Sequence, residues 1–485
     1  MKKPYPALLG ALLSACTAGP DYSRPETAVP SSYAEPHLAA VPSEAQLGSW
    51  WTAFGDPELD RLIGRALAQN LDIATAASRI REARAEERVA GASALPSVTA
   101  DSSITHQRIS EHAIPLPPTS GGGGNGAGFG LPGSEFTTFR VGFDASWELD
   151  LFGKTRREIE AARARTGAAI WSHRDAEVST AAEVASAYLA LRSLQEQIGV
   201  AQSEVERQER SLKLVSARVR GGLVTGQDLE QQSAELSSAK AAVPPLRAEA
   251  EAQIHKIAVL TGDTPQALIA ELGPAAASLP SPPEVPAGLP SDLLRRRPDI
   301  RAAERNLAAA SAEIGVATAD LYPRFSLSAA PALVSTALAT LLEWGSRNFS
   351  GGAAVDWPIF NAGRTRARID VRTAQQEQAL LSYRKTILSA LKDVEDSLAR
   401  IDNDRRELGE LEGALKSASR AEEIARTRYS GGLVTYSDVL QAQSRRIGLE
   451  MRALETRGAE ARDTVALYKA LGGGWTTTAQ EGAEP

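Results

Sequence analysis

Residues Phe139 to Arg156 read FRVGFDASWELDLFGKTR. From Phe139 to Asp150 the odd positions are apolar: Phe139, Val141, Phe143, Ala145, Trp147 and Leu149. The even ones are polar or small: Arg140, Gly142, Asp144, Ser146, Glu148 and Asp150. Alternation of period two over this length predicts a tilted β-strand long enough for one membrane pass. Gly153 ends the strand pattern, and a long helical pattern follows. The same design returns 210 positions later: Trp357 answers Trp147, Gly363 answers Gly153, Thr365-Arg366 answers Thr155-Arg156, and Ile369 answers Ile159.

Earlier landmarks repeat at a different offset. Asp299-Ile300 matches Asp72-Ile73 and Tyr322-Pro323 matches Leu95-Pro96, both 227 positions on. The first copy therefore carries about 17 extra residues (227 minus 210). They fall in the Gly-rich stretch His112–Glu135, with Gly121–Gly124, Gly126, Gly128 and Gly130, which reads as a long loop between strands; loops absorb insertions that membrane spans cannot. The weaker strands are expected around Val98–Ile104 and Phe325–Ala329, and a partner to the opening stretch at Phe349–Ile359.

Helices fill the rest. One pattern runs from about Leu59 to Ala94. From Lys154 to about Arg218 the residues Leu191, Leu194, Ile198, Ala201, Val205, Gln208, Leu212, Val215 and Val219 mark a coiled-coil seam. Gly221-Gly222-Leu223-Val224-Thr225 turns it into a second helix, which carries Pro244-Pro245 and should kink there. The second copy repeats the turn as Gly431-Gly432-Leu433-Val434-Thr435. A helix of about 65 residues rises roughly 98 Å, and two shorter helices stacked end to end would match it. Four strands per chain cannot close, and an open edge in hydrocarbon leaves backbone groups unpaired at several kcal/mol each. The pattern demands several copies: two, three or four would give eight, twelve or sixteen strands.

The chain has 485 residues, 43% of them hydrophobic, and a net charge of −7, from 53 basic and 60 acidic residues. That balance argues against nucleic acid as a partner. Lys2-Lys3, the apolar Ala7–Leu13 and Leu13-Ser14-Ala15-Cys16 read as a secretory leader of residues 1–15 ending at the one cysteine. Residues 16–60 read as an extended arm with one sticky segment, Trp50–Phe54. The domain plan is completed by a first repeat, 61–262, a linker, 263–297, a second repeat, 298–471, and a tail, 472–485.

The LSAC box, Trp50–Phe54 with Gly55-Asp56-Pro57, the paired GGLVT turns, Arg296-Arg297-Pro298-Asp299-Ile300 with Ala303-Glu304, and Ile314–Ala317 before Tyr322-Pro323 together resemble the TolC/OprM-like outer membrane factor family. Within it they look like the NodT-like lipoprotein branch that serves RND-type efflux systems. The resemblance covers essentially the whole chain. It implies a mainly α fold with a small transmembrane β part. A trimer would close a twelve-stranded β-barrel continuous with a twelve-helix periplasmic α-barrel. It implies lipid attachment at Cys16, with Thr17 directing the chain to the outer membrane of a Gram-negative bacterium. The implied function is an exit duct, passively conducting substrates from an inner-membrane RND-type transporter through a periplasmic adaptor. By the same resemblance the GGLVT turns are the adaptor-contacting tip. Asp438, with Tyr429 and Asp228, forms the periplasmic gate. The family's gate arginine and second gate carboxylate are replaced by Val434 and Gln441. Trp147 and Trp357 are expected at the membrane interface.

Catalysis is not expected, nor any cofactor beyond the lipid. His37, His106, His112, His173 and His255 show no metal-ligand spacing. Gly153-Lys154-Thr155 lacks the earlier glycine of a phosphate loop, since Glu148 stands there. Arg295–Arg297 reads as a solvated helix start. Two other readings are a duct for type I protein secretion, which the lipoprotein box disfavours, and a periplasmic coiled-coil scaffold without a pore, which has no use for membrane-length alternating strands.

Overall fold

A computed structural model describes residues 17–35, 43–110, 135–222, 224–274 and 278–475. Cys16, Leu223, most of the Gly-rich stretch and the last ten residues lie outside the described set. Two compact units emerge. One comprises residues up to 23, 83–165 and 307–378, and the other 24–82, 166–306 and 379 onward.

The element order bears the duplication to the residue. Helix α1 (Glu44–Gly48) and a 3-10 turn (Trp50–Phe54) precede α2 (Pro57–Gln69), α3 (Leu71–Ala92), β1 (Ser97–Arg108), β2 (Glu135–Leu149), α4 (Lys154–Arg220) and α5 (Gly226–Leu260). After α6 (Ile269–Leu272) and α7 (Pro290–Arg296) come α8 (Pro298–Ala319), β3 (Arg324–Ser335), β4 (Arg347–Asp356), α9 (Arg364–Ser430) and α10 (Tyr436–Ala470). Both ends of α8 and of β3 stand 227 residues after those of α3 and β1. Both ends of α9 and of α10 stand 210 after those of α4 and α5. Among the described residues no helix is long and apolar enough to cross a membrane.

The first unit is organised by an antiparallel meander in the order β1-β2-β3-β4. Its register places like parity beside like: Ile104 opposes Phe139, Ala100 opposes Phe143, Trp147 opposes Leu327 and Phe325 opposes Val355. One face is consequently apolar, and in a single chain it is bare, with Phe143 56%, Phe349 73% and Val355 61% exposed. The other face is polar: Arg140 donates to Asp101 at 3.0 Å and to Asp144 at 3.3 Å, and Arg324 meets Asp356 at 3.4 Å. Pairing of β2 with β3 lapses opposite Pro331, which has no amide to donate. The outer edges of β1 and β4 have no strand beside them among the described residues.

The second unit has an aliphatic and aromatic core. Trp50, Leu59, Leu62, Ile63, Tyr188, Leu189, Ile257 and Ile300 are almost fully buried there. Here the structure corrects the expected extended arm, whose last third is folded. Trp50 stacks on Tyr468 with centroids 5.0 Å apart, and Asp56 caps α2 through the Glu58 amide at 2.9 Å while accepting the Tyr188 hydroxyl at 2.5 Å. The expected single helix over Leu59–Ala94 is two. Asn70 ends α2 in an extended conformation, and its Oδ1 caps α3 at the Asp72 and Ile73 amides. Its Nδ2 donates to the Leu260 carbonyl at 2.9 Å. Arg297, 227 residues on, breaks α7 from α8 and donates to the equivalent carbonyl, Ala470, at 3.0 Å. The solvated reading of the 295–297 arginines fails at Arg297: its side chain is only 12% exposed and is paired with Asp299 and Asp393. Helix α5 runs as one element through Pro244-Pro245.

Candidate functional site

Each half of the second unit ends a long helix on two glycines. Gly222 and Gly432 adopt φ of 71° and 72°, where a Cβ is strained, and their amides return to the Val219 and Tyr429 carbonyls at 3.0 Å. The next helix then starts on a threonine. Thr225 and Thr435 each donate a backbone amide and a hydroxyl to the carboxylate three residues later. The distances are 3.0 and 2.9 Å to Asp228, and 2.8 and 2.7 Å to Asp438. At the first of them the bond is returned, from the Asp228 amide to Thr225 Oγ1 at 3.3 Å. The Thr435 bonds hold the Asp438 carboxyl below the usual carboxylate range, so it stays charged. Leu433 projects from its turn 77% exposed.

Behind the turns the two hairpins share a core. Val215, Tyr436 and Val439 are buried and pack with Val219, Val224, Leu229, Tyr429 and Leu440. Tyr429 lies 5.2 Å from the Tyr436 ring, and the Arg218 guanidinium sits 5.6 Å over its face. Its hydroxyl is buried without a hydrogen-bond partner, so within one chain Tyr429 does not reach Asp228. Of the three gate candidates the structure therefore gathers Tyr429 into the shared core, while Asp228 and Asp438 serve as helix caps.

What sequence reading missed is a buried polar ladder beneath this core. The Tyr436 hydroxyl donates to Gln232 Oε1 and lies 2.8 Å from Ser211 Oγ. Gln232, fully buried, donates to Gln208 Oε1 at 2.6 Å, and Gln208 donates to Glu204 at 2.5 Å. Arg446 follows, 3.8 Å from Glu204 and 2.6 Å from Glu422. The ladder ties α4, α5, α9 and α10 together. Burial pushes the Tyr436 phenol upward, so it remains a donor. The signal was present as polar residues at helical spacing: Gln197, Glu204 and Ser211, each one position before a seam residue, and Gln208 within the seam itself. Apart from Gln208, nothing in one dimension told them from a solvated stripe.

At the foot of the sheet Trp147 and Trp357 occupy equivalent places. The first donates its indole N–H to the Ala94 carbonyl and the second to Leu321, each at 3.0 Å. Those carbonyls follow the ends of α3 and α8, so each indole fastens a strand to a helix terminus. Phe152 stacks on Tyr322 beside them at 4.7 Å. Among the described residues no group of three or more His, Cys, Asp or Glu is placed to hold a metal.

A family profile described as outer membrane efflux protein matches residues 62–263 and 289–473. The pyoverdine export outer membrane protein OpmQ of Pseudomonas aeruginosa is 35% identical over 470 residues, covering 97% of this chain and 96% of its own. The probable outer membrane lipoprotein SilC of Salmonella typhimurium is 31% identical over 469 residues, 96% of this chain and 97% of its own. Among solved structures the outer-membrane channel OprN superposes with a TM-score of 0.83 at 32% identity, over 95% of this chain and all of that one. The MtrE channel of Neisseria gonorrhoeae, solved in an open state, gives 0.81 at 27%, over 95% of this chain and 99% of its own.

Proposed function

This chain belongs to the outer membrane efflux protein family, and from that premise we propose how it is assembled and what it joins. It is a passive outer-membrane efflux channel, not an enzyme. Three copies would bring twelve strands into one barrel, with the apolar face outward in lipid and the polar face lining water. The observation that carries this reading is the four-stranded sheet with a bare apolar face and two edges that meet no strand among the described residues. In hydrocarbon such a sheet is tolerable only when closed. A lipid on Cys16 anchors the chain in the outer membrane of a Gram-negative cell; SilC carries the word lipoprotein in its name.

The turns Gly221–Thr225 and Gly431–Thr435 form the periplasmic end that a membrane-fusion adaptor grips, with the exposed Leu433 as an apolar contact. An RND-type transporter in the inner membrane delivers the cargo through that adaptor. Relatives are named for pyoverdine export, cation efflux and toluene efflux, which supports a duct whose cargo the pump selects. Asp438 places a permanent negative charge at the narrow end, where a ring of three favours cations.

Detergent-extracted protein should have three times the chain mass and conduct ions in planar bilayers. A monomer by mass that leaves the bilayer silent would sink the reading.

A further inference from the structure

At the foot of the sheet Trp147 and Trp357 tie strands to helix ends. At its other end β3 and β4 are joined by residues 336–346, which fold into two 3-10 turns (Leu338–Thr340 and Trp344–Ser346). This connection is built rather than loose. Ser335 Oγ lies 2.6 Å from Thr340 Oγ1, Ser346 Oγ donates to the Thr340 carbonyl at 2.6 Å, and Leu341 is buried. Yet its outward side chains are those a water-facing loop avoids. Leu338, Leu342 and Trp344 are 66%, 83% and 78% exposed, and Glu343 is its one charged residue.

Arg347 shows which way the connection faces. Side chains alternate along β4, and Arg347, opposite Leu333, falls on the same face as Phe349, Val355 and Trp357, the face proposed to meet lipid. Its Nε donates to the Trp344 carbonyl at 2.8 Å and its guanidinium lies over the Trp344 ring, so the indole is on that side too. Among the described residues no carboxylate pairs with Arg347, and its terminal nitrogens meet no acceptor. An arginine on the lipid face is costly at mid-bilayer and nearly neutral at the boundary. The height agrees. β4 has 10 residues, and at about 3.3 Å each and a tilt of about 40° it climbs about 25 Å, the thickness of an outer-membrane apolar band. With Trp357 at one boundary, Arg347 and Trp344 stand at the other.

We propose that Arg347, Trp344 and Leu342 form a binding site for lipid A, the diphosphorylated glycolipid of the outer leaflet. The free guanidinium N–H groups of Arg347 take one of its phosphates, while Trp344 and Leu342 enter the acyl layer below. The inference rests on the duct proposed above, because that reading puts the helices in the periplasm and this end of the sheet at the cell surface. At that depth the abundant anion of a Gram-negative cell is the phosphate of this glycolipid, which matches an unpaired cation set among apolar side chains. The site occurs once per chain. In the first repeat the counterparts of Trp344 and Arg347, 210 residues back, are Ser134 and Thr137, which supply neither ring nor charge.

Native mass spectrometry of the detergent-extracted, full-length assembly tests this, with diphosphoryl lipid A, monophosphoryl lipid A and phosphatidylglycerol as probes. The assembly should take up one diphosphoryl lipid A per chain in preference to the other two. Arg347→Gln should weaken that uptake roughly ten-fold, as loss of a charge-assisted pair requires, and Arg347→Lys should weaken it less. Leu342→Gln keeps the guanidinium and should weaken uptake of both forms of lipid A alike. Uptake by Arg347→Gln within two-fold of wild type overturns the site. So does full displacement of lipid A by inorganic phosphate, which would make this a plain anion site. Trp344→Ala assemblies that shed subunits yet keep their lipid A would show the connections meeting one another across the mouth, and overturn it likewise. A wild-type chain that is a lone subunit by mass overturns the duct beneath the inference instead.

Discussion

Replacing Gln232 by leucine removes the hub of the buried ladder while keeping a side chain of similar volume. In the native chain Gln232 Oε1 receives the Tyr436 and Ser211 hydroxyls and its Nε2 supplies Gln208. In Gln232→Leu the Gln208 side-chain oxygen, buried, has no donor, and Tyr436 retains only Ser211. One orphaned acceptor and one lost bond cost about 2 kcal/mol. Tyr436→Phe is milder, about 1 kcal/mol, because Ser211 still reaches Gln232 at 3.2 Å. Once Gln232 is leucine, the phenol has less to lose, so the double variant should cost about 2 kcal/mol rather than 3. The readout is native-state hydrogen exchange of the first turns of α5 in the detergent-extracted protein. Roughly thirty-fold faster exchange is expected for Gln232→Leu and five-fold for Tyr436→Phe. Exchange within two-fold of wild type for Gln232→Leu, or strictly additive effects, would show that the ladder is a set of separate surface contacts and refute the reasoning.

Gly432→Val forces a β-branched residue to a φ of 72° and should cost about 2 kcal/mol locally. Limited proteolysis would register it as faster cleavage at the α9–α10 turn, with cleavage in the sheet unchanged. Asp438→Ala removes both the cap and the charge, whereas Asp438→Asn keeps an oxygen for Thr435. Both should reduce cation preference in reversal-potential measurements, and only the alanine should raise the open fraction of single channels. Trp147→Phe loses the bond to the Ala94 carbonyl, worth about 1 kcal/mol, and should lower the temperature at which the assembly dissociates on semi-native gels. Partial burial and then the nearby Asp463 charge raise Asp404 to about 6. A carboxyl raised on folding binds its proton more tightly in the native state. It therefore weakens the fold at neutral pH, and the loss is recovered as pH falls through about 6 toward its ordinary value. Asp404→Asn should accordingly stabilise at pH 8 with the gain vanishing near pH 4; a gain that persists in acid would exclude this carboxylate as its source.

Much of this protein is written one-dimensionally. The alternation at Phe139–Leu149 set which face of the sheet is apolar, because a pleated strand exposes successive side chains on opposite sides whatever surrounds it. The two GGLVT segments set both hairpin turns, because a residue with positive φ selects glycine locally. The offsets of 210 and 227 set the duplication, down to the shared ends of α4 and α9. Tertiary structure alone decided the rest. A residue such as Asn70 could sit within a helix or break it, and the Leu260 carbonyl, 190 residues away, settles the matter. Arg297 reads as one of three solvated arginines until Asp393 and the Ala470 carbonyl enclose it. Trp50 and Phe54 looked like a sticky patch on an arm; Tyr468 makes the tryptophan core. Polar side chains on a helix carry no local mark of burial, so Glu204 and Gln232 joined seam residue Gln208 in a ladder only when four helices removed the water between them. Periodicity and backbone sterics act between neighbours in sequence, whereas desolvation is decided by whichever distant segment arrives.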